Sequence, residues 1–154
     1  MISTYLSDGK SSKLYRKLVD EQKMSLQVTA FNISLEDYGM YVILTLPQGE
    51  TSLAILRDEI DEEIEKIQTS LISQKDYEKL LNKFESRFVS SNASVEGIAN
   101  SLAEYYTFYG DTNLINSEID IYRSITREEI RDVANKYLNA KQRLTLNYLP
   151  ESKK

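Results

Sequence analysis

The 154-residue chain contains no histidine and no cysteine. Without imidazole or thiolate it lacks the usual ligands of a catalytic zinc. Ser-His-Asp and Cys-His nucleophile arrangements are excluded for the same reason. Disulfides are not needed, which leaves the redox compartment open. With 5 glycines and 2 prolines, the composition argues against long disordered stretches outside the polar end Glu151-Ser152-Lys153-Lys154. Long apolar runs are missing too. The longest, around Tyr41–Leu46, is far too short to span a bilayer. Met1-Ile2-Ser3-Thr4 lacks the basic and apolar regions of a signal peptide. A net charge of −5 works against nucleic acid or an anionic membrane as the main partner. Such a chain is expected to contribute to a site completed elsewhere.

What remains is ordinary for a globular domain: 41% hydrophobic and 28% charged residues, enough for one core. One domain is expected over 1–150, with 151–154 as a tail. Ser11-Ser12 predicts a helix start, with Leu14, Tyr15, Leu18 and Val19 on one face to about Glu21. Ser25–Ile33 reads as a strand with Leu26, Val28 and Ala30 on one side. After the turn Glu36-Asp37-Tyr38-Gly39 comes Met40–Leu46, apolar on both faces and therefore expected at the centre of a sheet. Pro47-Gln48-Gly49 ends it.

From there the pattern is helical. Leu53, Leu56, Ile60, Ile64 and Ile67 lie three and four apart, the spacing of one helical face. Ser73 predicts the start of a helix with the stripe Tyr77, Leu80, Leu81, Phe84 and Phe88. A third carries Val95, Ile98, Leu102, Tyr105 and Tyr109 and stops near Gly110; a fourth, Leu114–Ser124, turns Ile115, Ile119 and Tyr122 inward. Thr126-Arg127-Glu128-Glu129 is a capping box opening a fifth, with Ile130, Val133, Ala134, Tyr137 and Leu138 inward. Arg143–Leu149 alternates Leu144, Leu146 and Tyr148 and reads as a closing strand. The result is an α+β fold: an antiparallel or mixed sheet with helices packed on one face. Three strands are thin cover for so many helices, so further strands are expected N-terminal to Met1 or from a partner.

Four local patterns have bland readings. Gly9-Lys10-Ser11 resembles the end of a phosphate-binding loop, but Thr4 stands where the first glycine belongs. The loop is better read as a junction leading into a helix. The acidic run Asp58–Glu63 cannot wrap an ion from a continuous helix and reads as a solvated face, with Glu62 and Lys66 as an i,i+4 pair. Of Tyr105-Tyr106-Thr107-Phe108-Tyr109, helical spacing puts part in the core, and since not all four rings can point inward, one or two are expected as surface anchors. Asn32-Ile33-Ser34 and Asn92-Ala93-Ser94 match the glycosylation sequon, a short pattern that arises by chance.

One longer stretch says more. Leu6-Ser7-Asp8-Gly9-Lys10-Ser11-Ser12-Lys13-Leu14-Tyr15-Arg16-Lys17-Leu18-Val19-Asp20-Glu21 resembles a segment of the insulinase/pitrilysin family of zinc metallopeptidases, the inverzincins. Later, Ser73-Gln74-Lys75-Asp76-Tyr77 stands in the place of that family's Thr-x-x-Glu-Leu helix start, and Ile125–Leu138 looks like its closing helix. The similarity runs from about Leu6 to Pro150.

The resemblance implies a half-domain of the processing-peptidase type: the later part of the second, non-metal half. In that family two related halves enclose a chamber. The first half holds zinc on His-x-x-Glu-His and a distant glutamate, and the glutamate of the motif activates the metal-bound water. This chain is thus expected to carry no catalytic residue, no metal ligand and no cofactor. Zinc is expected in the parent's N-terminal half, with a peptide as substrate and a second family subunit as oligomeric partner. The family's second half often supplies an Arg and a Tyr seven residues apart; here those positions fall on Val19 and Leu26. Neither can donate to an oxyanion, and both are expected to pack. Lys23 replaces the glycine that usually follows the acidic-basic run. The parent is then an active peptidase rescued by a partner, or a non-catalytic chamber subunit. A stand-alone protein-interaction module is the reading outside the family. Either bacterial compartment, cytoplasm or periplasm, is compatible.

Overall fold

The computed structural model describes residues 1–149; the tail expected at 151–154 lies outside them. A short helix, α1 (Ile2–Ser7), leads through a turn at Gly9 into a helix that takes π geometry over Tyr15–Glu21. β1 (Ser25–Ser34) and β2 (Gly39–Pro47) form an antiparallel hairpin. Five helices follow: α2 (Leu53–Thr69), α3 (Gln74–Ser91), α4 (Val95–Tyr109), α5 (Leu114–Ser124) and α6 (Arg127–Tyr137). The α+β class is as expected, with a two-stranded antiparallel sheet.

Local chemistry explains the helix boundaries. The Ser73 hydroxyl accepts the Asp76 amide and starts α3; Ser94 does the same for Gly97 at α4. Gly110, at φ +69°, ends α4 in the left-handed conformation that favours glycine. Thr126 and Glu129 complete the capping box of α6 in both directions. Each such cap stabilises by about 1 kcal/mol.

The core sits between one face of the hairpin and the helices. Leu6, Leu14 and Leu18 are fully buried and pack with Val28 and Ala30 of β1, Leu56 and Ile67 of α2, Leu80 of α3, and Ile130 and Ala134 of α6. Burying each such leucine contributes about 1.5–3 kcal/mol. Polar ties lock the outer helices. The Tyr77 hydroxyl donates to the Ile125 carbonyl at 2.7 Å, and the Gln68 amide donates to the carbonyls of Ala134 and Leu138 at 3.2 and 3.1 Å.

α1 closes one edge of the hairpin. The Ser7 hydroxyl accepts the Ala30 N–H at 2.6 Å and donates to the Ala30 carbonyl at 3.3 Å. The Ala30 backbone therefore points away from β2. Ala30 faces Ile43, and antiparallel alternation turns the Ile43 backbone toward the other, open edge.

Several expectations fail here, for tertiary reasons. β2 is not central: among the described residues it pairs with β1 alone, and Met40, Leu44 and Leu46 lie on an exposed face. Arg143–Leu149 forms no strand, and Leu144, Leu146, Tyr148 and Leu149 are exposed. An alternating pattern cannot supply its own pairing partner. Val95, Ile98 and Tyr109 of α4 and Val133 and Tyr137 of α6 are exposed rather than inward. Helical spacing defines a face but not whether anything covers it.

Candidate functional site

The segment from Asp8 to Gln27 holds both positions singled out by the sequence, and α2 and α3 hold that segment in place. Gly9 adopts φ +85°, a conformation glycine reaches without strain, and its carbonyl accepts the Ser12 hydroxyl at 2.7 Å. α3 fastens this turn: Lys79 donates to Ser11, Lys83 reaches Asp8 at 2.9 Å, and Arg87 pairs with the same carboxylate. Burial alone would raise the Asp8 pKa. Hydrogen bonding to Lys83 and the charges of Arg87 and Lys83 outweigh it and hold the carboxyl below its ordinary value. A helix, not a strand, precedes the Gly9 turn, so the phosphate-loop reading has no structural support.

Beyond the turn the backbone departs from regular geometry three times in succession. The π-helix closes with a five-residue hydrogen bond, Gln22 N–H to Lys17 carbonyl at 2.9 Å, and Met24 N–H reaches back to the Leu18 carbonyl at 2.8 Å. Single-turn π segments are rare and recur at functional sites. Lys23 then takes φ +52°, the left-handed conformation that costs a non-glycine residue about 1–2 kcal/mol. By the resemblance, this is the position where a glycine is expected. Finally, the β1–β2 register slips between Ser25 and Gln27. Ser25 is fully buried, its hydroxyl 2.8 Å from Thr45 Oγ1 and donating to the Leu46 carbonyl at 2.8 Å.

That bulge decides the fate of Leu26. It turns Leu26 and Gln27 outward together, so Leu26 is 58% exposed instead of sharing the buried side of Val28 and Ala30. The packing expected of Leu26 does not occur, whereas Val19 is half-buried against the core. At these two positions the chain presents two aliphatic side chains and no hydrogen-bond donor.

Beside the π-helix an open groove of about 440 Å³ is lined by Arg16, Lys17 and Glu21 of that helix and by Glu63 and Lys66 of α2. Lys17 is the hub. Its amine lies 2.8 Å from Glu59, 2.6 Å from Glu62 and 3.4 Å from Glu63, while Lys66 meets Glu62 and Glu63 at 2.8 and 2.7 Å. Burial would lower the Lys17 pKa, but hydrogen bonds to Glu59 and Glu62 and the charge of Glu63 push it up. Hydrogen bonds from Lys17 and Lys66 hold Glu62 down at about 2. The Glu62–Lys66 pair forms as expected, yet the solvated-face reading misses Glu63, which is buried. The signal was available: Glu63 lies three residues after Ile60 and four before Ile67, on the apolar stripe, where a carboxylate needs a partner. On the rim, burial, with the charges of Asp76 and Glu63, raises the Tyr5 pKa to about 12.

These carboxylates do not fit a zinc. They are engaged by two lysines, and among the described residues no group of three or more histidine, cysteine or carboxylate side chains is placed to hold a metal ion. The other sequence candidates stay apart from this region. Tyr105 donates to Glu118, and its pKa is raised by burial and by that carboxylate. Tyr106, Phe108 and Tyr109 are exposed, so the cluster is mostly surface rather than core. In the sequons, the Asn32 amide donates to Ser34 and Asn92 caps the end of α3.

The comparisons bear on this arrangement directly. A zinc protease of Helicobacter pylori, PqqE, is 27% identical over 97% of the chain, and the chain spans 33% of that relative's length. The crystal structure of a protease from Helicobacter pylori superposes with a TM-score of 0.83 at 24% identity, over 92% of this chain and 34% of that one. An inactive peptidase domain from Bordetella parapertussis also gives a TM-score of 0.83, at 23% identity, covering 99% of this chain and 81% of that one. At these identities the superpositions speak for the fold alone. Residues 1–84, more than half of the chain, match the model of the peptidase M16 inactive domain. The exposed Leu26, the half-buried Val19 and the strained Lys23 all lie in that span, and the chain belongs to the insulinase-type M16 family, as one of its inactive peptidase domains.

Proposed function

We propose that this chain forms part of the wall of a chamber in which a zinc peptidase hydrolyses peptides, the metal being carried by a companion N-terminal half that bears His-x-x-Glu-His. The observation behind this reading is specific to position. The chain matches an inactive domain and has no imidazole or thiolate anywhere, and the resemblance sets aliphatic Val19 and Leu26 at the positions where donors are expected. Its contribution is therefore shape and support. The π-helix, clasped to α2 through Lys17, holds one side of an open groove, and exposed Leu26 adds an apolar contact for an extended substrate. Polarisation of the scissile carbonyl, and any donor to the oxyanion, come from the companion half or a second family subunit.

The test uses the companion half produced as a separate polypeptide. Alone, this chain is expected to hold no stoichiometric zinc by metal analysis and to cleave no quenched fluorescent peptide. Added to the zinc-bearing half, it raises cleavage. One tightly held zinc per chain, cleavage by the chain alone, or no effect on the companion would refute the proposal.

Val19 and Leu26, standing where the resemblance implies donors, favour a second reading, a wholly non-catalytic chamber subunit. Val19→Arg combined with Leu26→Tyr separates the two. If the assembled unit is catalytic and borrows its donors, the double variant reduces its dependence on the lending subunit. Unchanged dependence leaves a purely structural role.

A further inference from the structure

The carboxylates beside the π-helix each have a cation, but the cations have N–H groups to spare. Lys13, Arg16, Lys17 and Lys66 line the groove against Glu21 and Glu63, a local excess of positive charge in a chain of net charge −5. Lys13, Arg16 and Lys17 lie three and four residues apart on one helix, so they are surface neighbours. Of these, Lys17 is fully engaged by Glu59, Glu62 and Glu63. Arg16 is not. A guanidinium carries five N–H donors in a planar fork. Among the described residues, that of Arg16 donates to Glu21 alone, at 3.0 Å, and its side chain is 59% exposed. Lys66 meets Glu62 and Glu63 and is also more than half exposed, which leaves one of its three donors. Lys13 meets Asp76 at 2.9 Å and sits over the Tyr5 ring. The Tyr5 hydroxyl, its pKa raised to about 12, remains an O–H donor at neutral pH.

We infer that this groove binds an acidic segment of an extended peptide, with a carboxylate of the peptide on the Arg16 fork. Lys66, Lys13 and Tyr5 supply the remaining donors along the groove. Guanidinium and carboxylate match as two parallel hydrogen bonds, the strong form of such a contact. The groove's carboxylates, Glu21 and Glu63, are already paired, so an incoming carboxylate displaces at most the exposed Glu21. A volume of about 440 Å³ is that of a small-ligand site and takes a few side chains, not a duplex. A nucleic acid would also carry its charge far beyond the groove, over the surface of an acidic chain. The inference rests on the chamber reading for the source of the peptide, which is the substrate. Binding is measured on this chain without the companion half, so its failure leaves the cleavage test standing, and failure of that test leaves the binding.

Nuclear magnetic resonance titration of the isotope-labelled chain reads the site directly. The probe is a peptide with blocked ends and two glutamates between glycines, added to about 5 mM because exposed charge contacts support only weak affinity. The expected result is a saturable shift of the Arg16 Nε–H and of the Gln22 side-chain amide, which also lines the groove. Binding should weaken as salt is raised from about 0.05 to 0.5 M. The same peptide with glutamines in place of glutamates should leave both signals unmoved.

Arg16→Ala should weaken binding about 10-fold, the usual worth of a hydrogen bond to a charged group, read at Gln22. The substitution removes only an exposed pair, and the same spectra report whether the fold is kept. Arg131→Ala is the control: that arginine, on α6, is likewise paired with a neighbouring carboxylate, Asp132, and its loss should leave binding unchanged. No shift at the highest peptide concentration would overturn the inference. So would equal shifts with the glutamine peptide, binding that survives Arg16→Ala, or an equal loss in Arg131→Ala. Inorganic phosphate that binds at Arg16 more tightly than the acidic peptide would overturn it as well, since the groove would then take a free anion.

Discussion

Replacing Lys17 with methionine tests whether the π-helix is held by charge as well as by packing. Methionine keeps most of the aliphatic stem, so the substitution removes the ammonium with little change in volume. Three carboxylates lose a partner. Glu59 retains Gln22 at 2.9 Å, Glu62 retains Lys66, and Glu63, whose side chain is 10% exposed, retains only the largely exposed Lys66. Exposed ion pairs contribute less than about 1 kcal/mol, and hydrogen bonds to charged groups about 1.5–3 kcal/mol. Lys17, with a side chain 15% exposed, lies between these cases, so the expected loss is about 1–2 kcal/mol. With a urea m-value of about 2 kcal/mol/M, the unfolding midpoint falls by about 0.5–1 M.

The pH dependence of that loss is the sharper test. The Lys17 pKa is raised in the fold, so its stabilisation is present below the unfolded value of about 10.4 and is lost only as pH rises through the higher folded value. Glu59 is held below its ordinary value by hydrogen bonds from Lys17 and Gln22, and Glu62 falls to about 2. Their contribution is present above the unfolded value of about 4.3 and is lost as pH falls through the depressed folded values. The difference between the native chain and Lys17→Met should therefore be constant from about pH 5 to pH 10 and shrink by pH 3. Arg16→Ala, which removes only the exposed Arg16–Glu21 pair, should change stability by less than about 0.5 kcal/mol. Urea titrations in which the two substitutions cost the same, or in which the Lys17→Met deficit is as large at pH 3 as at pH 7, would refute the clasp.

Two further substitutions test the packing. Gly97→Ala drives a methyl group into the Ser91 carbonyl oxygen, where α3 passes close to the first turn of α4. The strain of about 1–3 kcal/mol should outweigh alanine's helix preference of about 1 kcal/mol, and a thermal melt of the variant that rises instead of falling would show that the close approach is not there. Leu18→Ala empties a fully buried site on the π-helix and should cost about 2–5 kcal/mol, against about 1 kcal/mol for Val19→Ala next to it. Equal losses in urea unfolding would mean that the helix does not hold the π register that buries Leu18.

What could be read from the residues in advance divides along a physical line. Features set by neighbouring residues were legible. Ser73 and the Thr126–Glu129 box start helices where their side chains can accept the third amide onward, and Gly110 stops α4 because a left-handed residue must. The stripe Leu56, Ile64, Ile67 is buried as its spacing implies. Features that depend on distant parts of the chain were not legible. Tyr109 and Val133 have the spacing of inward residues and are exposed because no described residue lies over them. Arg143–Leu149 has the alternation of a strand and no strand to join. The same division runs through the candidate site. Its chemistry, the absence of any donor at Val19 and Leu26, was available from the sequence. The bulge that turns Leu26 outward arises where Ser25 hydrogen-bonds across to β2, and no periodicity announces it.

The two halves of this reading constrain each other. A hairpin with no charge in either strand, apolar on both faces, is costly to leave in water, and the chain is otherwise dense in charge. Strand positions that face solvent in a self-sufficient sheet are usually polar; here Met40, Val42, Leu44 and Leu46 occupy them. The groove beside the π-helix shows the opposite pattern, with nearly every side chain along it charged and paired. The protein therefore separates two tasks on adjoining surfaces. The charged groove is satisfied from within, through Lys17 and Lys66, and needs no partner to be stable. The hairpin face is left bare by the described residues of the chain, with Met40, Leu44 and Leu46 exposed.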